Sequence, residues 1–186
     1  MADPGVPDTG DAPADDPTGA TALPCGETLR PADIDLGMRE YACACGDTHA
    51  VVLDVHPPTR FLPADVVAVL RETVEVGEDD PFEEFGTPHL MGSLREEFPD
   101  AVVTLDATED GSAGYALGWV ADFDSRTLHE HVVELVVELM EHAVSHTRDD
   151  AALGDFETQM LDFDVAEFVE TYRAERDFDD EYDRPA

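Results

Sequence analysis

A group of metal-ligand residues in the first third of the chain most constrains how this sequence folds. Cys25 is followed by Cys43 and Cys45, which are separated by one alanine, and His49 lies four residues further on. Three thiolate sulfurs and one imidazole nitrogen make up the ligand set of a tetrahedral zinc site. A chain that binds one ion through these residues must bring residue 25 back against residues 43–49.

The residues around the cysteines are similar to the knuckles of a zinc ribbon. Such a knuckle usually reads Cys-x-x-Cys-Gly, with backbone amides directed at the thiolate and a glycine that relieves steric conflict. Here Cys25 and Cys45 each precede a glycine, while Ala22 and Ala42 stand where the first cysteine is missing, and Cys43 follows one residue later. We therefore predict a zinc-ribbon-like hairpin over residues 22–56, with zinc bound by Cys25, Cys43, Cys45 and His49.

Three other interpretations of these residues remain open from the sequence. His56 can replace His49 as the fourth ligand. The thiols can be ordinary core residues, since cysteine is among the most commonly buried side chains. The pair Cys43 and Cys45 can also act in redox chemistry, in which neighbouring thiols oxidise and release a metal.

Acidic residues dominate the composition. The chain has 45 Asp and Glu against 10 basic residues, all of which are arginine, and a net charge of −35. Repulsion at this charge density opposes a compact fold, whereas about 1 M salt shortens the Debye length to about 3 Å. We therefore expect an intracellular protein of a salt-accumulating organism. Because cations are few, we expect no direct binding to nucleic acid.

The N-terminal segment and the hydropathy indicate the expected location. Residues 1–20 have neither the cationic start nor the apolar run of a signal peptide, and the apolar stretches are too short to span a membrane. We expect a cytoplasmic protein without membrane contact.

The distribution of apolar residues predicts one folded domain with tails. Hydrophobic residues make up 42% of the chain and recur with helix or strand periodicity, which a disordered polyanion does not show. We expect a disordered acidic tail over residues 1–21 and a single domain over residues 22–148. A linker and a docking helix then occupy residues 149–176, and a second acidic tail occupies residues 177–186.

The periodicity predicts an α+β fold in which a small mixed or antiparallel sheet packs against helices. Strands are expected over residues 49–56, 102–107 and 115–123, the last two joined by an Asp-Gly turn at residues 109–112. Helices are expected over residues 63–74, 89–98, 125–147 and 164–176. In the third strand, Ala116, Gly118 and Val120 are small, which predicts that a helix lies on their face of the sheet.

No complete catalytic signature occurs in the chain, so we assign no catalytic residue. His142 and His146 are four residues apart on the longest predicted helix, but the glutamate of a His-Glu-x-x-His motif is missing. Histidines at a helix C-terminus are also favoured by the helix dipole, and we assign this pair no metal role. His129 falls on the apolar face of the same helix, which predicts a packed core residue.

Five stretches of the chain carry a resemblance to a known family. They are LPCG from residue 23, DLGMREY from residue 35, CACG from residue 43, HAVVLDVHP from residue 49 and GWVADFDSR from residue 118. Together they resemble an uncharacterised family of halophilic archaea, over about residues 22–148. The resemblance implies a single domain and this class of organism, and it implies no activity.

Two hypotheses of function follow from the sequence. The first is a zinc-binding, non-enzymatic module that presents a surface to a protein partner or regulator. The second is a redox-responsive protein or metal-dependent enzyme that uses Cys43 and Cys45. The substrate, the partner and the oligomeric state are not encoded in any motif of the sequence.

The acidity leads to a prediction about salt. Dilution from about 1 M to about 0.01 M salt lengthens the screening distance from about 3 Å to about 30 Å, so repulsion among the carboxylates grows across the whole domain. We expect the fold to loosen, as measured by circular dichroism during stepwise dilution. Equal thermal stability at both salt concentrations would contradict this interpretation of the charge.

Overall fold

The computed structural model describes residues 19–109, 113–146 and 148–176. The strands are β1 (Thr21–Ala22), β2 (Thr28–Leu29), β3 (Glu40–Ala42), β4 (Thr48–Leu53), β5 (Val102–Asp106) and β6 (Leu117–Ala121). The α-helices are α1 (Ala64–Thr73), α2 (Thr87–Glu97), α3 (Ser125–Ser145), α4 (Asp150–Leu161) and α5 (Val165–Glu175). The α+β class predicted from the sequence is therefore confirmed.

The sheets are antiparallel throughout. The larger one has the strand order β3-β4-β6-β5, and β1 pairs with β2 in a separate two-stranded ribbon. Within the larger sheet, Tyr41 faces His49 across β3 and β4, and Trp119 of β6 lies between Val52 and Thr104. The predicted hairpin of β5 and β6 is thus present, while residues 110–112 of its expected Asp-Gly turn lie outside the described residues.

Each face of the larger sheet covers its own core. One face contributes Val52, Trp119 and Ala121, which pack with the helices. The opposite face contributes Val51 and Val120, among others, and these pack with the N-terminal segment. Alternation of side chains along a strand separates the two sets, so the two central strands are apolar on both sides.

The prediction that a helix lies on the face of Gly118 was wrong. The helices pack on the face of Trp119, whereas Gly118 faces the side chains of Leu53 and Tyr115. A Cβ at position 118 would lie 3.0 Å from Leu53 Cδ2, so the small residue allows close packing against the N-terminal half. Tyr115, before the start of β6, belongs to the second core and donates a hydrogen bond to the carbonyl of Pro31.

The long helix α3 organises the first core. The carboxylate of Asp124 accepts a hydrogen bond from the amide of Thr127, which caps the first turn. Leu128, Val132 and Val136 are buried along one face, at the spacing expected of an amphipathic helix. None of the helices in the described part of the chain is long and apolar enough to cross a membrane.

The segment interpreted as a linker contains a helix that the sequence analysis missed. The carboxylate of Asp149 accepts hydrogen bonds from the amides of Ala151 and Ala152 and starts α4. No residue of α4 is buried. The predicted final helix is present as α5, where Val169 is fully buried and the Tyr172 hydroxyl donates to the carbonyl of Leu62.

His129 is a buried core residue, as its position on the apolar face predicted. Its Nε2 lies 2.7 Å from the carbonyl of Phe61, and none of its surface is exposed. Burial lowers the pKa of His129 from 6.5 to about 4, because the charged form loses its hydration.

The lowered pKa predicts how stability depends on pH. Between pH 6.5 and 4 the unfolded chain binds a proton at this residue that the native chain does not, so stability falls as pH falls. The loss from this residue reaches about 2 kcal/mol by about pH 5. We expect His129→Gln to flatten the fall in unfolding free energy between about pH 7 and pH 5, measured in urea. Gly154→Ala, on the exposed face of α4, adds and removes no titratable group and should keep the wild-type slope. Equal slopes in all three proteins would contradict the prediction.

Candidate metal centre

The first cysteine lies in a tight turn that joins β1 to β2. The amide of Leu23 donates to the carbonyl of Glu27 over 2.7 Å, and the amide of Gly26 donates to the carbonyl of Leu23 over 2.9 Å. Gly26 has a φ of +91°, a left-handed conformation that glycine adopts without steric cost. The turn holds Cys25 directly before this glycine.

The second turn, between β3 and β4, repeats the first in its backbone. The amide of Cys43 donates to the carbonyl of Asp47 over 3.0 Å, and the amide of Gly46 donates to the carbonyl of Cys43 over 3.1 Å. Gly46 has a φ of +99°. Cys45 therefore occupies the place in this turn that Cys25 occupies in the first, and Cys43 occupies the place of Leu23.

The two turns bring the predicted ligands together. The Sγ atoms of Cys25, Cys43 and Cys45 and a ring nitrogen of His49 all lie within 4.8 Å of one another. The Sγ atoms of Cys25 and Cys43 are 3.8 Å apart, and Cys45 Sγ is 3.5 Å from His49 Nε2. The sequence spacing alone did not show that all four residues converge.

These two distances match the edges of a zinc tetrahedron. Zinc binds thiolate sulfur at about 2.3 Å and imidazole nitrogen at about 2.0–2.1 Å. Tetrahedral angles then place two sulfurs about 3.8 Å apart, and a sulfur and a nitrogen about 3.5 Å apart. One sulfur–sulfur edge and one sulfur–nitrogen edge therefore already have the length that a single ion imposes, and this donor set fits zinc.

A backbone carbonyl orients His49 within the group. The ring lies on β4 and is fully buried, and its Nδ1 donates a hydrogen bond to the carbonyl of Ala121 over 3.0 Å. The proton is thereby held on Nδ1, which leaves the lone pair of Nε2 directed at the thiol of Cys45. Metal-binding histidines commonly have such a partner on the other ring nitrogen. Sequence reasoning missed Ala121, because a backbone carbonyl 72 residues away leaves no side-chain signal.

The thiols influence one another's ionisation. A hydrogen bond from the backbone of Cys45 lowers the pKa of Cys43, and the thiols of Cys45 and Cys25 lower it further. The amide of Asp47 lowers the pKa of Cys45, but loss of hydration and the hydrogen bonds with Cys43 and Cys25 raise it by more, to about 11. The group thus favours one thiolate over several, and a bound cation would supply the charge that stabilises the others.

The cluster lies between the ribbon and the larger sheet. Cys25 and Cys43 are partly buried against the second core, and Cys45 is exposed. Ligands from the β1–β2 turn and from the β3–β4 hairpin meet at this point. An ion here would connect two segments that otherwise share a small apolar core.

His56, the alternative fourth ligand, lies apart from the cluster. Its Nδ1 accepts a hydrogen bond from the amide of Leu53 over 3.0 Å, and its Nε2 donates to the carbonyl of Leu36 over 2.6 Å. The guanidinium of Arg60 also contacts Nδ1. Both ring nitrogens are therefore engaged in joining β4 to the loop before β3.

The comparison with protein families identifies the group to which this chain belongs. Residues 21–176 match the model of a family described as "Family of unknown function (DUF5815)". The chain is thus a member of an uncharacterised family, as the resemblance implied. The match extends past residue 148 and includes α4 and α5. No curated protein and no solved structure matches the chain.

The positive φ of Gly46 predicts a cost for any side chain at that position. No atom lies within 4 Å of a Cβ built there, so the penalty of Gly46→Ala arises from the backbone alone, at about 1–2 kcal/mol. We expect urea unfolding in molar salt to show this loss. Gly154→Ala on the exposed face of α4 is the matched control and should be neutral or stabilising. Equal stability of the two variants would contradict the proposed role of the turn.

Proposed function

We propose that this protein is a zinc-binding, non-enzymatic module that interacts with a protein partner or a regulator. Cys25, Cys43, Cys45 and His49 bind the ion in this proposal. The observation that carries it is the agreement of the sulfur–sulfur and sulfur–nitrogen distances, 3.8 and 3.5 Å, with the edges of a zinc tetrahedron.

A structural role for the ion follows from the number of protein ligands. A catalytic zinc usually has three protein ligands and a water in the fourth position, whereas this group supplies four. The buried Nδ1 of His49 is held by Ala121, so the ring is already oriented for binding. Zinc at this point stabilises the N-terminal half of the fold, because ligation energy becomes folding energy.

The kind of partner follows from the charge. A net charge of −35 with ten arginines and no lysine opposes contact with DNA or RNA phosphates. In a salt-accumulating cytoplasm, the release of counterions also contributes little to nucleic-acid binding. A protein surface is therefore the partner that this composition favours.

Removal of one ligand tests the metal assignment. We expect about one zinc per chain in protein purified without chelator, and a strong loss in Cys45→Ala. The unfolding free energy should fall by about 4 kcal/mol or more, the size of loss reached when a protein loses a metal. Elemental analysis and urea unfolding measure the two quantities.

The control for this experiment is Gly154→Ala, a change on the exposed face of α4 away from the cluster, which should keep both the zinc and the stability. Wild-type protein without stoichiometric zinc would refute the assignment.

Thiol titration separates the structural role from the redox role. In the structural case all three cysteines are protected from a thiol reagent until a chelator removes the zinc. In the redox case one thiol of the native protein reacts quickly without chelator, and Cys43, whose pKa is lowered, is the residue expected to do so. Peptide mapping of the modified protein identifies the residue.

A further inference from the structure

Two histidines at the C-terminal end of α3 face each other across one helical turn. His142 Nε2 and His146 Nε2 are 3.2 Å apart, and the ring centroids are 4.6 Å apart. Both side chains are exposed to solvent. This pair lies on a different element from the cysteine cluster.

The distance between the two nitrogens is that of ligands sharing one ion. Imidazole nitrogen binds zinc at about 2.0–2.1 Å, and angles of about 90–110° at the metal then separate two nitrogens by about 2.9–3.4 Å. The observed separation lies within this range. In the chain without metal, one Nε2–H donates to the other Nε2. When an ion binds, the proton of the donor ring is carried on its Nδ1, so both rings stay neutral and both Nε2 lone pairs face the metal.

The surroundings of the pair leave room for a hydrated cation. His142 and His146 line one side of an apolar cavity of about 660 Å³ between α1, α3 and α4, together with Val69, Leu139 and Ala152. The other side of the rings is exposed to solvent, so water can reach an ion held between the two nitrogens.

We propose that His142 and His146 form a second metal site, for a late first-row divalent ion such as Ni²⁺, Cu²⁺ or Zn²⁺. Neutral imidazole is a preferred ligand of these ions, and water completes the coordination. The sequence analysis assigned this pair no metal role because the catalytic glutamate is missing. A non-catalytic chelate requires only that the two ring nitrogens lie close enough to share an ion. That distance depends on the side-chain conformations, which the sequence does not specify.

Nickel binding to the full-length chain tests the site. Purified protein in molar salt at neutral pH is titrated with NiCl₂ by calorimetry, and the wild type is compared with His142→Gln, His146→Gln and the double variant. We expect the double variant to bind one nickel ion fewer per chain than the wild type. Each single variant should weaken that binding by about tenfold or more, which corresponds to about 1.4 kcal/mol.

The matched control is His131→Gln, a partly exposed histidine on the same helix, which should bind nickel like the wild type. Absorption in the near ultraviolet identifies nickel bound to thiolate, and the nickel lost in the double variant should carry no such band. Comparing variants keeps this result independent of whether the cysteine cluster holds zinc. The same number and affinity of nickel ions in the wild type and the double variant would overturn the proposal.

Discussion

The arrangement of the N-terminal half depends on the hydrogen bond between His49 and the carbonyl of Ala121. His49 lies on β4 beside β6, and the bond of 3.0 Å ties the ring to the centre of the larger sheet. Because the ring is fully buried, it has one orientation, and that orientation directs Nε2 at the thiol of Cys45. The backbone of the core thereby positions the one ligand that is not a thiol.

The β1–β2 and β3–β4 turns, although short, hold the cysteines that connect the ribbon to the larger sheet. The β1–β2 ribbon has two residue pairs and contributes Leu23 and Leu29 to the second core. A ribbon of this size is marginal by itself. Convergence of Cys25 with Cys43 and Cys45 brings side chains of the ribbon and of the sheet together, where one bound ion would link the two.

The charged side chains lie at the surface, and the two hydrophobic cores lie inside. Carboxylates cover exposed positions, while both faces of β4 and β6 are apolar and the buried polar residues are few in the described part of the chain.

The helix α4 shows a limit of predicting secondary structure from the sequence pattern. Acidic residues such as Asp149 are typical of a linker, although the same carboxylate caps a helix when the following amides are helical. The two alternatives have one sequence pattern, so the pattern by itself does not distinguish a linker from a helix.

The sequence by itself determined the fold class and the borders of α3 and α5 to within a few residues. It also named the three cysteines of the cluster, with His49 or His56 as the fourth residue. Residue type and local periodicity are sufficient for these, because they depend on neighbours along the chain. The tertiary structure alone decided which face of β6 receives the helices, the choice between His49 and His56 for the cluster, and the contact of His49 with Ala121. Each of these depends on groups tens of residues apart, whose meeting is governed by strand register and by the packing of two separate cores.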